Sequence, residues 1–359
     1  MSSRRSQRPR ALAAWLAFGA CLASCSETRE TARAPRAEAL ATTSGPLPSA
    51  APTSTADAGP DSSTGAGRGS TEDDAKRLSV RFRRASLPVE PCADAAPERL
   101  ATCVFEQGYA PDTKAAALAR SLFEKTGTVA GLGVAETMDG GFRGVIQLVP
   151  ALPIDKDRRH LEWAAAALID IDDTLTRVEE RTGVRFRYRR APDRLLFFRS
   201  VGRTTPSAFV ADGNISYNVA GSLLKDASSV RETLVHELFH INDDGWSEGA
   251  LQGDYAAILR RCFPKGKLAA TTTACLAPYA PNDTVVRGGT YYAFQRGNGE
   301  SVREYGAELA LRWYKEHRAI VRGEVTRAGP FRCGTEENAR AWAAFTKRFA
   351  GGADLTRCP

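Results

Sequence analysis

Histidine is scarce in this chain, and the cysteine spacing that builds metal clusters is missing. Four histidines occur among 359 residues, and no pair of cysteines has the C-x-x-C spacing, which disfavours a cysteine-based zinc cluster. Long apolar runs are lacking too, because the run at residues 11–20 is too short to cross a bilayer as a permanent helix. The composition that remains, 43% hydrophobic and 25% charged, is typical of a globular protein.

The body of the chain also lacks a large excess of charge of one sign. The formal net charge is +7 at pH 7, but four of the positive charges belong to Arg4, Arg5, Arg8 and Arg10. The rest of the chain is close to neutral, without the basic surplus that is typical of nucleic-acid-binding proteins. We therefore expect no nucleic-acid partner.

The first 24 residues have the pattern of a secretory signal peptide, in which a basic start precedes the apolar run at 11–20. The sequence L-A-S-C at residues 22–25 resembles the lipobox of bacterial lipoproteins. That resemblance implies cleavage before Cys25 and attachment of a lipid to its side chain. By the sorting rule of these lipoproteins, Ser26 implies retention at the outer membrane of the bacterial cell envelope. An ordinary signal peptide with an incidental cysteine is the alternative.

Residues 25–77 have the composition of a flexible tether. They are rich in Ala, Ser, Thr, Pro and Gly with almost no large apolar residue, so they cannot bury enough surface to offset the loss of chain entropy on folding. Residues 78–359 have a length at the upper edge of the single-domain range. The sequence thus predicts a signal peptide at 1–24, a tether at 25–77 and one domain at 78–359.

Six cysteines fall in the predicted domain, as three pairs of neighbours in sequence. An even number of cysteines in an exported protein favours disulfide bonds. Six cysteines allow fifteen connectivities, and we prefer the one with the shortest loops because these close with the smallest loss of entropy. The preferred pairs are Cys92–Cys103, Cys262–Cys275 and Cys333–Cys358.

The order of the predicted elements indicates an α+β fold with a mainly helical C-terminal part. The strand-like runs are short and lie in the first two thirds of the chain, whereas helical spacing dominates after residue 223. The predicted helices lie at 111–125 and at 157–182, which ends at Gly183, and the predicted strands lie at 129–149 (two, around Asp139-Gly140-Gly141), 184–188, 194–200 and 208–219 (with a turn at Asp212-Gly213).

Two of the four histidines lie four residues apart in the sequence T-L-V-H-E-L-F-H. Residues i and i+4 share one face of a helix, so His236 and His240 are able to bind one metal ion. Glu237 lies about 100° round the helix from His236, near enough to reach a water on that ion. A capping box at residues 229–232 begins this helix. Two buried histidines in a core helix are the alternative, which the rarity of histidine disfavours.

The H-E-x-x-H sequence resembles the zinc-binding helix of zincin metallopeptidases, whose subgroups differ in the third zinc ligand. A metzincin would have glycine at position 243 and a ligand at 246, where this chain has Asp243 and Trp246. An aspzincin would need a downstream aspartate in a Gly-Thr context, which Asp254 lacks. The remaining subgroup is gluzincin, whose third ligand is a glutamate from a later helix.

The segment at residues 304–308, E-Y-G-A-E, resembles the E-x-x-A-E sequence that carries the third ligand of several gluzincins. The resemblance implies that Glu304 binds zinc and that Glu308, one turn on, orients a histidine ring. Small residues at 306 and 307 would let this helix approach the histidine helix closely. Glu300 and Glu308 share the same helix face and are alternative ligands. In a further alternative, Glu304 belongs to a capping box at residues 301–304.

One gluzincin with this segment, the metalloprotease domain of anthrax lethal factor, places a catalytic tyrosine about two turns before the glutamate, where this chain has Gly297. Tyr291 and Tyr292 lie further upstream, and Tyr292 is our candidate for the residue that stabilises the oxyanion. The other two histidines, His160 and His317, have charged neighbours in sequence. We predict that both are solvated surface residues.

The resemblance as a whole implies a zincin-like fold, with a small mixed sheet and a backing helix, and a zinc-dependent peptidase with one Zn²⁺ per chain. Glu237 would act as general base on a water that attacks a peptide bond. The substrate would be a protein or peptide lying along the strand at 214–219, and the lipid at Cys25 would anchor the enzyme to the membrane. The alternative is a non-catalytic lipoprotein that uses this fold as a binding or structural module. The presence of Glu237 favours the enzyme.

Overall fold

In the computed structural model, helices and strands are mixed in the first two thirds of the described chain and the remainder is helical, so the fold is α+β as predicted. The described residues are 71–139, 144–263, 271–286, 289–295, 301–324 and 329–359. The helices are α1 (Thr71–Arg83), α2 (Pro97–Gly108), α3 (Thr113–Thr126), α4 (Arg158–Thr182), α5 (Ala227–Asp243), α6 (Trp246–Ala250), α7 (Gln252–Cys262), α8 (Thr272–Leu276), α9 (Ser301–Arg322) and α10 (Glu336–Phe349). The strands are β1 (Val129–Leu132), β2 (Glu136–Asp139), β3 (Val145–Pro150), β4 (Arg194–Ser200), β5 (Ala208–Ala211) and β6 (Asn214–Asn218).

Strand β4 lies in the middle of a mixed sheet. On one side it pairs in parallel with β6. On the other side it pairs in parallel with β1 and, further along, antiparallel with β3. Strands β2 and β5 are the outermost strands, since the order across the sheet is β2-β3-β4-β6-β5.

The long helix α4 is the centre of the helical layer and packs against α3, α5 and α9. Its buried face carries apolar side chains at helical spacing, among them Leu161, Leu168 and Leu175. The helix ends at Gly183, which adopts a left-handed backbone with φ of 71°. Glycine takes this conformation without a Cβ clash, and the predicted end of the helix is confirmed.

Helix α1 begins at Thr71, N-terminal to the domain boundary predicted at residue 78. It belongs to the folded part of the chain because Phe82, near its end, is fully buried. The ring of Phe82 contacts those of Phe105 and Phe123, with centroids 5.4 and 5.6 Å apart. The predicted signal peptide and Cys25 lie outside the described residues. No helix of the described chain is long and apolar enough to cross a membrane.

The strands differ from the prediction at two places and agree at a third. The segment predicted as two strands at 129–149 forms three, because β1 pairs with β4 while β2 and β3 form a hairpin. Gly140 and Gly141 of the predicted turn lie outside the described residues. The turn at Asp212-Gly213 is confirmed, with positive φ at both residues (49° and 71°), as hairpin turns of two residues require.

Residues 184–188 form no strand, contrary to the prediction. The backbone of this region forms hydrogen bonds with partners outside the sheet. The N–H of Arg187 donates to the carbonyl of Phe349. The side chain of Asn242, on α5, accepts from the N–H of Arg189 and donates to its carbonyl. The segment therefore runs over α5 and the end of α10 rather than beside β4.

The three predicted cysteine pairs lie at disulfide-bonding distance. Their Cα atoms are 5.9, 5.6 and 5.5 Å apart for the first, second and third pair. The preference for nearest neighbours in sequence is therefore confirmed for Cys92–Cys103, Cys262–Cys275 and Cys333–Cys358.

The prediction that His160 and His317 are solvated is wrong, since both are buried. The Nδ1 atom of His160 lies 3.0 Å from the hydroxyl of Tyr217, a residue of β6. His317 lies 2.8 Å from the carbonyl of Trp313 through Nδ1, and its Nε2 accepts from the backbone N–H of Leu355. The charged neighbours in sequence misled the prediction because the two histidines lie on the inner faces of their helices.

Candidate metal centre

Helix α5 presents both histidines of the H-E-x-x-H sequence on one face. The Nε2 atoms of His236 and His240 are 3.2 Å apart. The helix begins with a capping box in which Asp226 accepts from the N–H of Ser229, while Ser229 Oγ accepts from the N–H of Asp226. The predicted box at 229–232 was wrong by one turn, because Ser229 occupies the third helical position rather than the cap.

Glu304 reaches the two histidines from helix α9. Its Oε2 atom is 3.2 Å from His236 Nε2, and its Oε1 atom is 3.6 Å from His240 Nε2. One ligand atom from each of the three side chains lies within 4.8 Å of the others. The structure thus brings together the three residues that were predicted as ligands, and the Glu304 carboxylate faces the histidines instead of capping its own helix. Glu300, an alternative ligand, lies outside the described residues.

The spacing of these atoms suits a tetrahedral metal ion. Ligand atoms about 2.0–2.1 Å from a tetrahedral centre lie roughly 3.3 Å apart, and the observed separations are 3.2, 3.2 and 3.6 Å. The Oε2 atom of Glu304 is buried and makes no aligned hydrogen bond to any part of the chain that the structure describes. A cation between the three side chains would satisfy this oxygen, so the residues fit a bound metal ion.

The close approach of α9 to α5 depends on Gly306. A Cβ atom at this position would lie 2.8 Å from Cζ of Phe239 and 2.5 Å from Oγ of Ser247. Both distances are shorter than van der Waals contact allows, so a side chain here would push the helices apart. The expected role of a small residue at 306 is therefore confirmed.

Glu308, supported by Asn282, holds the ring of His236 at its Nδ1 atom. Glu308 Oε1 lies 3.3 Å from His236 Nδ1. The side-chain amide of Asn282 donates to Glu308 Oε2 at 3.0 Å and to the Glu308 carbonyl at 2.8 Å, and all three residues are buried. A carboxylate at Nδ1 keeps the proton on that nitrogen and leaves the Nε2 lone pair for a metal ion. The sequence indicated Glu308 but not Asn282, which lies in a loop without a recognisable motif.

Tyr292 also lies at the centre. Its ring packs edge-on against the imidazole of His236, with centroids 5.6 Å apart. Burial alone would raise the pKa of Glu304, but the two histidines and a hydrogen bond with Tyr292 outweigh burial and lower that pKa. The tyrosine that was our candidate from the sequence is therefore in contact with two of the three predicted ligands.

Burial and the carboxylates act differently on the remaining titratable groups. Burial favours the neutral form of His236, but the carboxylates of Glu304 and Glu308 beside its ring nitrogens outweigh burial and raise the pKa of His236 well above its usual value. For His240, burial and the charge of His236 lower the pKa to about 4. Burial raises the pKa of Glu237 to about 7.

Asp243, which stands where a metzincin would have glycine, connects helices. It is fully buried at the end of α5. One of its carboxylate oxygens accepts from the backbone N–H and the hydroxyl of Ser247, and the other accepts from Nε of Arg303 at 2.9 Å. Since Arg303 precedes Glu304, this ion pair fixes the start of α9 relative to α5.

The sequence suggested that a substrate lies along the strand at 214–219, which would have to be an edge strand. The edge strand on this side of the sheet is β5 instead. Strand β6 lies between β4 and β5 and is paired on both sides. Within the described residues β5 pairs with β6 alone, so its other side is free. Both strands contact α5. The prediction was wrong because the hairpin at 208–219 inserts its second strand, rather than its first, next to β4.

Comparisons of the chain with protein-family models, with curated proteins and with solved structures gave no match. The chemistry of the centre therefore follows from its own geometry. Two imidazoles and a carboxylate converge on one point, and a carboxyl group and a phenol lie beside them.

Proposed function

We propose that this protein is a zinc-dependent peptidase of the gluzincin type with a zincin-like fold. The observation that carries the proposal is the convergence of His236, His240 and Glu304. Two imidazoles and one carboxylate are the protein ligands of catalytic zinc sites that leave a position open for water or substrate. Zinc, when bound by these residues, supplies a Lewis acid that activates water and polarises the scissile carbonyl.

Glu237 is the general base in this proposal. It follows His236 on α5, so it lies beside the ligands without belonging to them. Its carboxyl group is buried. A carboxylate in this position takes a proton from the attacking water while the water oxygen bonds to the carbonyl carbon. The C–N bond then breaks, and the same proton passes to the leaving amine.

Tyr292 and strand β5 provide further contacts to the substrate. The phenol of Tyr292 donates to the carbonyl oxygen as negative charge develops on it, the task of an oxyanion-stabilising group. The free side of β5 pairs with an extended peptide, which adds to the sheet as one more strand. Tyr292 at the ligands and β5 beside α5 support this arrangement.

We place the enzyme at the bacterial cell envelope, anchored by a lipid on Cys25, with envelope proteins or peptides as substrates. The signal-like segment at 1–24 supports this location, and so do three cysteine pairs at bonding distance, which suit an oxidising compartment. Cys25→Ser should release the domain into the soluble periplasmic fraction. A variant that stays with the membranes unchanged would contradict the lipid anchor.

The decisive experiment compares wild type with Glu237→Gln on a peptide library, with the zinc content of both proteins measured. We expect the variant to keep its zinc and to lose about 10²–10⁴-fold in the rate of hydrolysis, the usual contribution of a general base. Glu232→Gln is the matched control, since Glu232 lies on the same helix in an ion pair with Lys315. Equal rates for wild type and Glu237→Gln would overturn the proposal. Zinc binding without hydrolysis by either protein would instead favour a binding or structural module.

A further inference from the structure

A second site lies outside the metal centre, in a cleft of about 450 Å³. It is formed by the end of α1, the turn after α3 and the start of β4. Three arginines line it: Arg81, Arg84 and Arg194. Among the described lining residues Asp193 alone is acidic, and its carboxylate forms an ion pair with Arg189 at 2.5 Å. The cleft therefore has an excess of positive charge.

Two of the three guanidinium groups are held in place by neutral partners. Arg194 donates to the side-chain oxygen of Asn214 at 2.9 Å and to the backbone carbonyl of Arg84 at 2.7 Å. Arg81 donates to the backbone carbonyls of Gly127 at 2.5 Å and of Asp193 at 3.4 Å. Because these acceptors are uncharged, they fix the direction of the guanidinium groups without neutralising them.

The pKa of Arg194 agrees with an excess of positive charge in the cleft. Burial and the positive charges of Arg84 and Arg81 lower the pKa of Arg194, and Asp193 and Asp212 only partly oppose them. Crowding of like charges without a carboxylate partner costs free energy in the folded protein. An anion bound between the arginines would remove this cost.

We propose that this cleft binds a phosphate-bearing ligand, with the phosphate group between Arg81, Arg84 and Arg194. Guanidinium groups bind phosphate oxygens through pairs of parallel hydrogen bonds. A phosphate group carries up to two negative charges and accepts such pairs from several arginines, whereas one arginine suffices for a carboxylate. The cleft is larger than a single phosphate, and so the ligand carries an organic group as well. A soluble organic phosphate and a phospholipid headgroup share this chemistry.

Arg84 is the residue to change, because its side chain is exposed and its backbone carbonyl, which holds Arg194, remains after substitution. At constant ionic strength, calorimetry of the full chain should show inorganic phosphate binding about tenfold more tightly than acetate. Arg84→Glu should weaken phosphate binding by at least about tenfold, and Arg84→Gln by less. Arg177→Glu, at an exposed arginine of α4, is the matched control and should bind like wild type.

Vesicles distinguish the two sources of phosphate. Both proteins, with Arg84 intact or changed to Glu, carry Cys25→Ser so that the proposed lipid anchor does not contribute, and are sedimented with phosphatidylcholine vesicles that either contain or lack phosphatidylglycerol. If phosphatidylglycerol retains more wild type than variant, the ligand is a lipid headgroup. If both proteins sediment equally, but wild type still binds inorganic phosphate more tightly than Arg84→Glu, the ligand is a soluble phosphate. Absence of phosphate binding by wild type, or equal binding by wild type and Arg84→Glu, would overturn the proposal.

Discussion

Gly306 and the ring of Phe239 lie so close that an added Cβ atom would be 2.8 Å from Cζ of the ring. The ring is fully buried and has no room to move aside. Gly306→Ala should therefore push α9 away from α5 and draw Glu304 back from the histidines. We expect a loss of about 1–3 kcal/mol in the free energy of unfolding and weaker metal binding. Urea denaturation and competition with a chelator measure the two effects.

Gly253→Ala is the control for this substitution. Gly253 lies in α7, and a Cβ there would meet no atom within 4 Å. Replacing a glycine inside a helix by alanine should raise stability by about 0.5–1 kcal/mol and leave metal affinity unchanged. Wild-type metal affinity in Gly306→Ala would show that the close approach of the helices is not needed for the centre.

Glu304 and Glu308, both on α9, should differ in their effect on metal affinity. Glu304→Ala removes a predicted ligand and should lower the affinity for zinc more than any other single change in α9. Glu308→Ala removes the acceptor at His236 Nδ1 and should lower the affinity by about 10–100-fold, as is usual for such supporting residues. Chelator competition on folded variants gives both values. A larger loss in Glu308→Ala than in Glu304→Ala would reverse the two roles.

Asn282→Ala should weaken metal binding although Asn282 is not one of the predicted ligands and instead contacts Glu308, which supports one of them. The variant loses the hydrogen bonds that hold Glu308, so the ring of His236 becomes freer to turn. We expect a loss of about tenfold in zinc affinity, at the lower end of the range for supporting residues. Asn338→Ala is the control, because Asn338 is also buried and holds the same loop at the carbonyl of Pro278. Equal losses in both variants would indicate a general loosening of the loop.

Acid should weaken the contact between α4 and α9 through Asp170. Burial raises the pKa of this carboxyl, but hydrogen bonds from Tyr314 and Arg318 and the nearby charge of Arg322 outweigh it and lower the pKa. The contribution to stability is then fully present above the unfolded pKa of about 3.9. It is lost as the pH falls through the lower, folded-state pKa.

The corresponding variant is Asp170→Asn. At pH 7 it should lower the free energy of unfolding by about 1.5–3 kcal/mol, the range for hydrogen bonds to charged groups. The difference from wild type should shrink towards pH 3, as urea denaturation at both pH values would show. Asp173→Asn, at an exposed site on the same helix, should change little. A difference that does not depend on pH would mean that the charge of Asp170 is unimportant.

The predicted ligands could be identified from the sequence because their signals are local. His236 and His240 are one helical turn apart, and this spacing fixes their common face without knowledge of the fold. Glu304 was indicated by a short resemblance and by the small residues after it. The end of α4 at Gly183 and the turn at Asp212-Gly213 likewise follow from backbone conformations that few residues adopt.

Features that depend on distant parts of the chain could not be predicted. Asn282 contacts Glu308 across 26 residues of sequence. His317 is buried by α10 and by the C-terminal segment at Leu355, and its neighbours in sequence do not show this. Residues 184–188 have the composition of a strand, but tertiary contacts supply other hydrogen-bond partners. In each case the deciding interaction is long-range.

The shortness of β5 limits how firmly its free side can hold a peptide. In an antiparallel ladder only alternate residues bond to a given neighbour, so a strand of four residues (Ala208–Ala211) offers about four hydrogen bonds. At about 0.5–1.5 kcal/mol each, these provide roughly 2–6 kcal/mol before the cost of immobilising the peptide. Side-chain contacts must then set the residence time of a bound chain, and cleaved products should dissociate quickly. The same shortness makes β5 a poor template for strand-to-strand aggregation.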